Sequence, residues 1–98
     1  MATMTMPKVE RCRVAGCCYN KGEICHALAI TIGGEDEHPA CDTFCNYRTK
    51  GGDELAIAGV GACKVNSCQY NQSLECTANG ITVGVAQDEA DCLTYEPR

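Results

Sequence analysis

Apolar residues in this chain collect in short runs, the longest being Ala27–Ile32 and Leu55–Ala62. The run Ala27-Leu28-Ala29-Ile30-Thr31-Ile32 carries β-branched residues in alternation and predicts a strand that stops at Gly33. Ala78-Asn79-Gly80-Ile81-Thr82-Val83 has the same character and stops at Gly84. Upstream of each strand lies a Tyr-Asn pair, a turn signal because Asn tolerates left-handed backbone and bonds its own main chain. Before that, a Cys-x-Val segment reads as an extended lead-in. The expected element is a β-hairpin that brings the second and third cysteines of each segment together. Between the two segments, Gly51-Gly52 reads as linker. The run Leu55–Gly61 is apolar enough to pack on a neighbour or to form a short helix starting near Asp53.

These similar segments belong to a duplication. Cys12, Cys17, Cys25 and Cys41 recur 51 positions later as Cys63, Cys68, Cys76 and Cys92, with no insertion or deletion. Aligning 12–45 with 63–96 gives twelve identities in thirty-four positions. Besides the cysteines these are Val14/Val65, Tyr19/Tyr70, Asn20/Asn71, Ala27/Ala78, Ile30/Ile81, Thr31/Thr82, Gly33/Gly84 and Thr43/Thr94. Such a match marks a tandem repeat. The predicted organisation is a flexible N-terminal tail at 1–11, module 1 at 12–45, a linker at 46–62 and module 2 at 63–96.

A module of this length falls below the roughly 40 residues at which a hydrophobic core suffices without metal, disulfide or partner. With no Trp, one Phe and four Tyr among 98 residues, large core side chains are scarce, while ten cysteines are present. The fold class expected is therefore a small metal- or disulfide-stabilised protein, mostly irregular with short β-hairpins. Energetics leave both chemistries open. A structural zinc supplies on the order of 10–16 kcal/mol, and a disulfide closing such a loop about 3 kcal/mol.

Compartment favours metal. The segment Met1-Ala2-Thr3-Met4-Thr5-Met6-Pro7 has no basic region and no apolar run of signal-peptide length, so a cytoplasmic setting is expected. In a reducing compartment closely spaced cysteines more often bind metal than form lasting disulfides. No apolar stretch is long enough to span a bilayer. The formal charge is −5, and eight thiolates with two divalent ions would deepen it to about −9. That surface repels phosphate backbones, so no nucleic-acid partner is expected. Lys8, Arg11 and Arg13 read as the solvated side of an extended segment. The acidic stretches Glu35-Asp36-Glu37 and Asp88-Glu89-Asp91 read as solvated loops, since neither has calcium-site periodicity.

Four thiolates per repeat suit a closed tetrahedral zinc site with no open position for water, so no catalysis is expected. The x4 spacing lets two sulfurs reach one ion, with the later ligands arriving from a hairpin and a closing loop. Iron–sulfur ligation needs the same donors, but neither ferredoxin spacing is present. His26 and His38 stand opposite Thr77 and Glu89, and Cys18 and Cys45 opposite Gln69 and Glu96. All four fall outside the shared frame. The two cysteines read as free or partly buried thiols, or functionally as a mutual disulfide, an intermolecular cross-link or a redox sensor. No catalytic triad or phosphate-binding loop occurs.

The pattern C-x-V-x2-C-x-Y-N-x4-C-x-A-x2-I-T-[IV]-G followed by C-x-T-[FY] resembles a bacterial family of short four-cysteine domains of unknown function. The resemblance covers nearly all of 12–44 and 63–95. It implies single or tandem copies in small proteins, often of spore-forming anaerobes, with zinc ligands at the eight frame cysteines. It assigns nothing to Cys18 or Cys45. The leading reading is a non-enzymatic tandem protein holding two zinc ions. The alternatives are a disulfide-cross-linked structural protein, for example of a spore layer or filament, and an iron–sulfur electron carrier. A protein partner or self-assembly is compatible with any of these.

Overall fold

The first strand begins before the first cysteine. In the computed structural model, which describes residues 6–33, 39–46, 49–53, 55–86 and 89–98, Lys8–Cys12 form strand β1. Val9 and Cys12 are buried while Lys8, Glu10 and Arg11 are exposed. Residues three apart face opposite sides of a regular strand. A bulge between Val9 and Arg11 absorbs the extra residue, so both Val9 and Cys12 turn inward. Gly59–Cys63, strand β6, repeats the device and buries Val60 and Cys63.

Eight further strands lie among the described residues. They are β2 (Asn20–Lys21), β3 (Ile24–Cys25), β4 (Ala29–Gly33), β5 (Ala40–Cys41), β7 (Asn71–Gln72), β8 (Glu75–Cys76), β9 (Gly80–Ala86) and β10 (Glu89–Cys92). Two-residue ladders β2–β3 and β7–β8 form small hairpins, and the other six strands close a barrel in the order β1-β6-β4-β5-β10-β9. Exchanging the two copies gives the same ring read in reverse, so the barrel has an internal two-fold relation. The antiparallel contacts β1–β6 and β5–β10 lie on that axis.

The pairing crosses between copies. Strand β1 runs parallel to β9, with Val9 opposite Ile81 and Cys12 opposite Val83. In the mirror arrangement β6 runs parallel to β4, with Val60 opposite Ile30 and Cys63 opposite Ile32. Each lead-in strand is thus inserted beside the long strand of the other copy. The modules are intermeshed rather than strung like beads.

The core follows from that exchange. Val9, Val60, Val65 and Ile81 are the largest fully buried side chains, joined by Ile30, Ile32, Val14 and Val83. Burial of such an aliphatic side chain contributes roughly 1.5–3 kcal/mol. The molecule measures 36 × 34 × 15 Å, a barrel flattened to little more than the ~10 Å spacing of two packed sheets.

Several expectations need correction. The predicted tail at 1–11 includes strand β1, because Val9 finds a buried position against Ile81. The linker at 46–62 holds no helix among its described residues. Ala56 N donates to Asp53 O at 2.9 Å, and beyond it buried Ala58 bonds the Cys25 carbonyl through its amide at 3.0 Å and leads into β6. Gly59 and Gly61 disfavour a helix there, and β4 offers a ladder instead. Glu89 and Asp91 lie in strand β10 rather than in a loop. Glu35, Asp36, Glu37, His38 and Asp88 lie outside the described residues.

Candidate metal centres

Each group of four cysteines is assembled by short-range geometry repeated in both copies. A tight turn holds the second cysteine: Cys17 N donates to Val14 O at 3.1 Å and Asn20 N to Cys17 O at 3.0 Å. The equivalents are Cys68 N to Val65 O at 3.1 Å and Asn71 N to Cys68 O at 3.0 Å. Two-residue hairpin turns follow. Gly22 and Glu23 have φ of 64° and 65°, and Ser73 and Leu74 have 54° and 67°. Both central residues are left-handed, as a type I′ hairpin requires. These turns set Cys25 opposite Asn20 and Cys76 opposite Asn71.

The hairpins also fix the first cysteine. Glu23 O accepts from Cys12 N, and Leu74 O from Cys63 N, each at 2.9 Å. Buried Asn20 donates its side-chain amide to Cys12 O at 2.6 Å, and Asn71 does the same to Cys63 O at 2.7 Å. The fourth cysteine arrives on β5 or β10, fastened behind by a threonine. Thr43 Oγ1 accepts from Thr31 N at 3.2 Å, and Thr94 Oγ1 from Thr82 N at 3.0 Å. These bonds account for two of the identities shared by the copies, Asn20/Asn71 and Thr43/Thr94.

Cys12, Cys17, Cys25 and Cys41 line one cavity of about 10 Å³, and Cys63, Cys68, Cys76 and Cys92 line another of the same size. That volume suits one water-sized body. Val83 and Ala90 of the second copy help wall the first cavity, and Ile32 and Pro39 of the first copy help wall the second. Neither site is closed by its own repeat alone. Among the described residues no three His, Cys, Asp or Glu side chains stand as a ready coordination group. The thiols share a cavity without forming a closed sphere.

Burial dominates the electrostatics. It pushes the Cys41 and Cys92 thiols up to about 11 and raises Cys25 and Cys76 as well, helped by the neighbouring frame sulfurs. Opposing it, the peptide N–H groups of Ala27 and Thr43 donate to Cys25 and Cys41, and those of Ala78 and Thr94 to Cys76 and Cys92. A donor two residues beyond a cysteine favours the thiolate over the thiol. Any non-proline residue supplies such an N–H, so the Ala27/Ala78 identity reflects instead a small side chain packed in or against the core.

The remaining candidates lie outside both cavities. His26 Nδ1 is 3.0 Å from Ala56 O, so the imidazole braces the connecting segment. Cys18 N donates to Cys45 O at 2.6 Å, which makes the two free cysteines direct neighbours. Burial, the Cys45 thiol and Cys17 push Cys18 up to about 11, with Lys50 opposing. Sequence reasoning missed two cations. Lys50 Nζ donates to Ala15 O at 3.2 Å and to Cys17 O at 3.1 Å, and Arg98 Nε donates to Asn66 O at 2.8 Å. Ala15 and Asn66 are equivalent, yet Lys50 and Arg98 are not, so alignment of the repeats gives no signal for them.

Chemically, four sulfur donors around an ion-sized space, with amide donors behind two of them, fit a soft or borderline cation held by thiolates. Among the described residues that line the two cavities there is no His, Asp or Glu. Among the described residues no helix is long and apolar enough to cross a membrane. The family model described as Domain of Unknown Function (DUF1540) matches residues 11–46 and again residues 62–95. No curated protein matches the chain, and no solved structure does.

Proposed function

The chain belongs to the DUF1540 family in two tandem segments, and on that footing we propose that it is a non-enzymatic metal-binding protein holding one zinc ion in each four-cysteine set. The observation that carries this reading is the convergence of all four frame cysteines of each copy on one ion-sized cavity. Cys12, Cys17, Cys25 and Cys41 would hold the first ion, and Cys63, Cys68, Cys76 and Cys92 the second. When bound, zinc would draw off the thiol protons and tie four chain segments to one centre.

The chain's own residues prepare for that role. Asn20 and Asn71 hold the lead-in strands against the hairpins, and Thr43 and Thr94 hold the closing segments. The N–H donors of Ala27, Thr43, Ala78 and Thr94 would share the negative charge of the sulfurs. Neither ferredoxin cysteine spacing occurs in the chain, which favours a single ion over an iron–sulfur cluster. Four sulfur ligands leave no position for substrate, so the metal is structural.

Native mass spectrometry of anaerobically purified full-length protein tests the proposal. The expected mass exceeds that of the reduced chain by two zinc ions, less the displaced protons. A colourless protein without metal, or one whose eight frame cysteines are paired as disulfides, would overturn it. Visible absorbance with bound iron would replace zinc by iron.

A further inference from the structure

We infer that Cys18 and Cys45 form a thiol–disulfide exchange site that takes small-molecule disulfides and acts apart from the eight frame cysteines. The two residues are 27 apart in the chain but face each other across a main-chain hydrogen bond, Cys18 N to Cys45 O, of 2.6 Å. Both thiols are free, and the main-chain bond makes the two residues direct neighbours. Bridging two cysteines requires such proximity before any bond can form.

The second copy supplies an internal control. Gln69 and Glu96 stand at the equivalent positions, and Gln69 N donates to Glu96 O at 2.7 Å. The fold therefore makes this contact with or without sulfur. The thiol pair is particular to the first copy, and the shared frame does not need it.

Accessibility orders the chemistry. Cys18 is buried whereas Cys45 is partly exposed, so the incoming reagent meets Cys45. The Cys45 thiolate attacks one sulfur of the small disulfide, forming a mixed disulfide and expelling one small thiolate. The Cys18 thiolate then attacks the Cys45 sulfur, forming the Cys18–Cys45 bond and expelling the second. Two protons leave the protein thiols and reach the two expelled thiolates. The protein pair is oxidised by two electrons and the small disulfide is reduced to two thiols. The product would clamp the turn that carries Cys17 to the chain that follows Cys41.

Full-length protein, purified anaerobically in reductant and then exposed to excess oxidised glutathione, tests the site. After acid quenching, alkylation and peptide mapping, the expected chain is two hydrogens lighter, with one cross-link joining Cys18 to Cys45. The other eight cysteines should be alkylated. Cys18→Ala should stop at the first step, with one glutathione on Cys45. Cys18→Gln with Cys45→Glu, the pair that the second copy already carries, should lose no hydrogens and keep a native amide spectrum. Recovery of both Cys18 and Cys45 as alkylated thiols from treated, folded wild type would overturn the inference. So would a cross-link that reaches a frame cysteine. Metal content of the untreated protein is a separate readout, so failure of the zinc reading and failure of this one are distinguishable.

Discussion

Replacing Ile81 by alanine should destabilise both copies at once, although the residue belongs to the second. Ile81 is 1% exposed, sits opposite Val9 of the first copy and lines the second cavity. Truncating a buried isoleucine to alanine costs about 2–5 kcal/mol, a large part of the roughly 5–15 kcal/mol that stabilises a typical domain. With a urea dependence of about 1–3 kcal/mol per molar, the midpoint should fall by about 0.7–5 M. The informative readout is where the loss occurs. Asn20 and Asn71 have buried side-chain amides bonded to Cys12 and Cys63, one in each copy, and nuclear magnetic resonance can follow both through a urea titration. Strand β1 couples Ile81 to the first site, since Val9 and Cys12 lie on the same five-residue strand. The two amides should therefore disappear at one midpoint in wild type and at one lower midpoint in Ile81→Ala. If the Asn20 amide kept its wild-type midpoint while the Asn71 amide lost its own, the exchanged-strand argument would be refuted.

Other expectations follow from single contacts. Asn71→Ala leaves the Cys63 carbonyl without its buried partner and should cost about 1–3 kcal/mol in chemical denaturation; a change near zero would show that the bond is replaceable. Leu74 is exposed with φ of 67°, a backbone that costs a non-glycine residue about 1–2 kcal/mol. Leu74→Gly should therefore raise the melting temperature despite glycine's entropic cost of about 0.5–1 kcal/mol, and a fall would contradict this. In metal-free protein the fold favours the protonated form of Cys41 and Cys92, raised from an ordinary 9.0 to about 11. The native state then binds more protons than the unfolded state, so stability is complete below about pH 9 and falls as pH rises towards 11. Urea midpoints measured near pH 8 and pH 10.5 check the sign, and a rise with pH would reverse it.

The sulfur frame and the long strands were legible because both leave local marks. Eight cysteines at a fixed offset identified the two groups that line the cavities, and the Ile-Thr-Ile and Ile-Thr-Val alternations became β4 and β9. The strand exchange left no such mark. Parallel pairing joins residues far apart in sequence, and Val9 and Val60, although 51 apart, precede the first cysteine of each frame. The bulges hid them further, because Val9 and Cys12 break the period of two expected of inward-facing residues. The asparagines were read for their position but not for their work. Left-handed backbone falls on Gly22, Glu23, Ser73 and Leu74, while Asn20 and Asn71 occupy strands and use their amides on cysteine carbonyls. The donors to sulfur were not legible, since a backbone N–H leaves no trace in side-chain chemistry.

The borrowed cavity walls make the duplication a dimer written into one polypeptide. A chain with a single repeat would need a second molecule to supply the counterparts of Val83 and Ala90, and its completeness would vary with concentration. Joining the repeats turns that encounter into an intramolecular one with a high effective concentration. Both centres can then be assembled by a protein present at very few copies. Covalent linkage also frees the halves to diverge, as Cys18 and Cys45 have done from Gln69 and Glu96, because each half always meets the same partner.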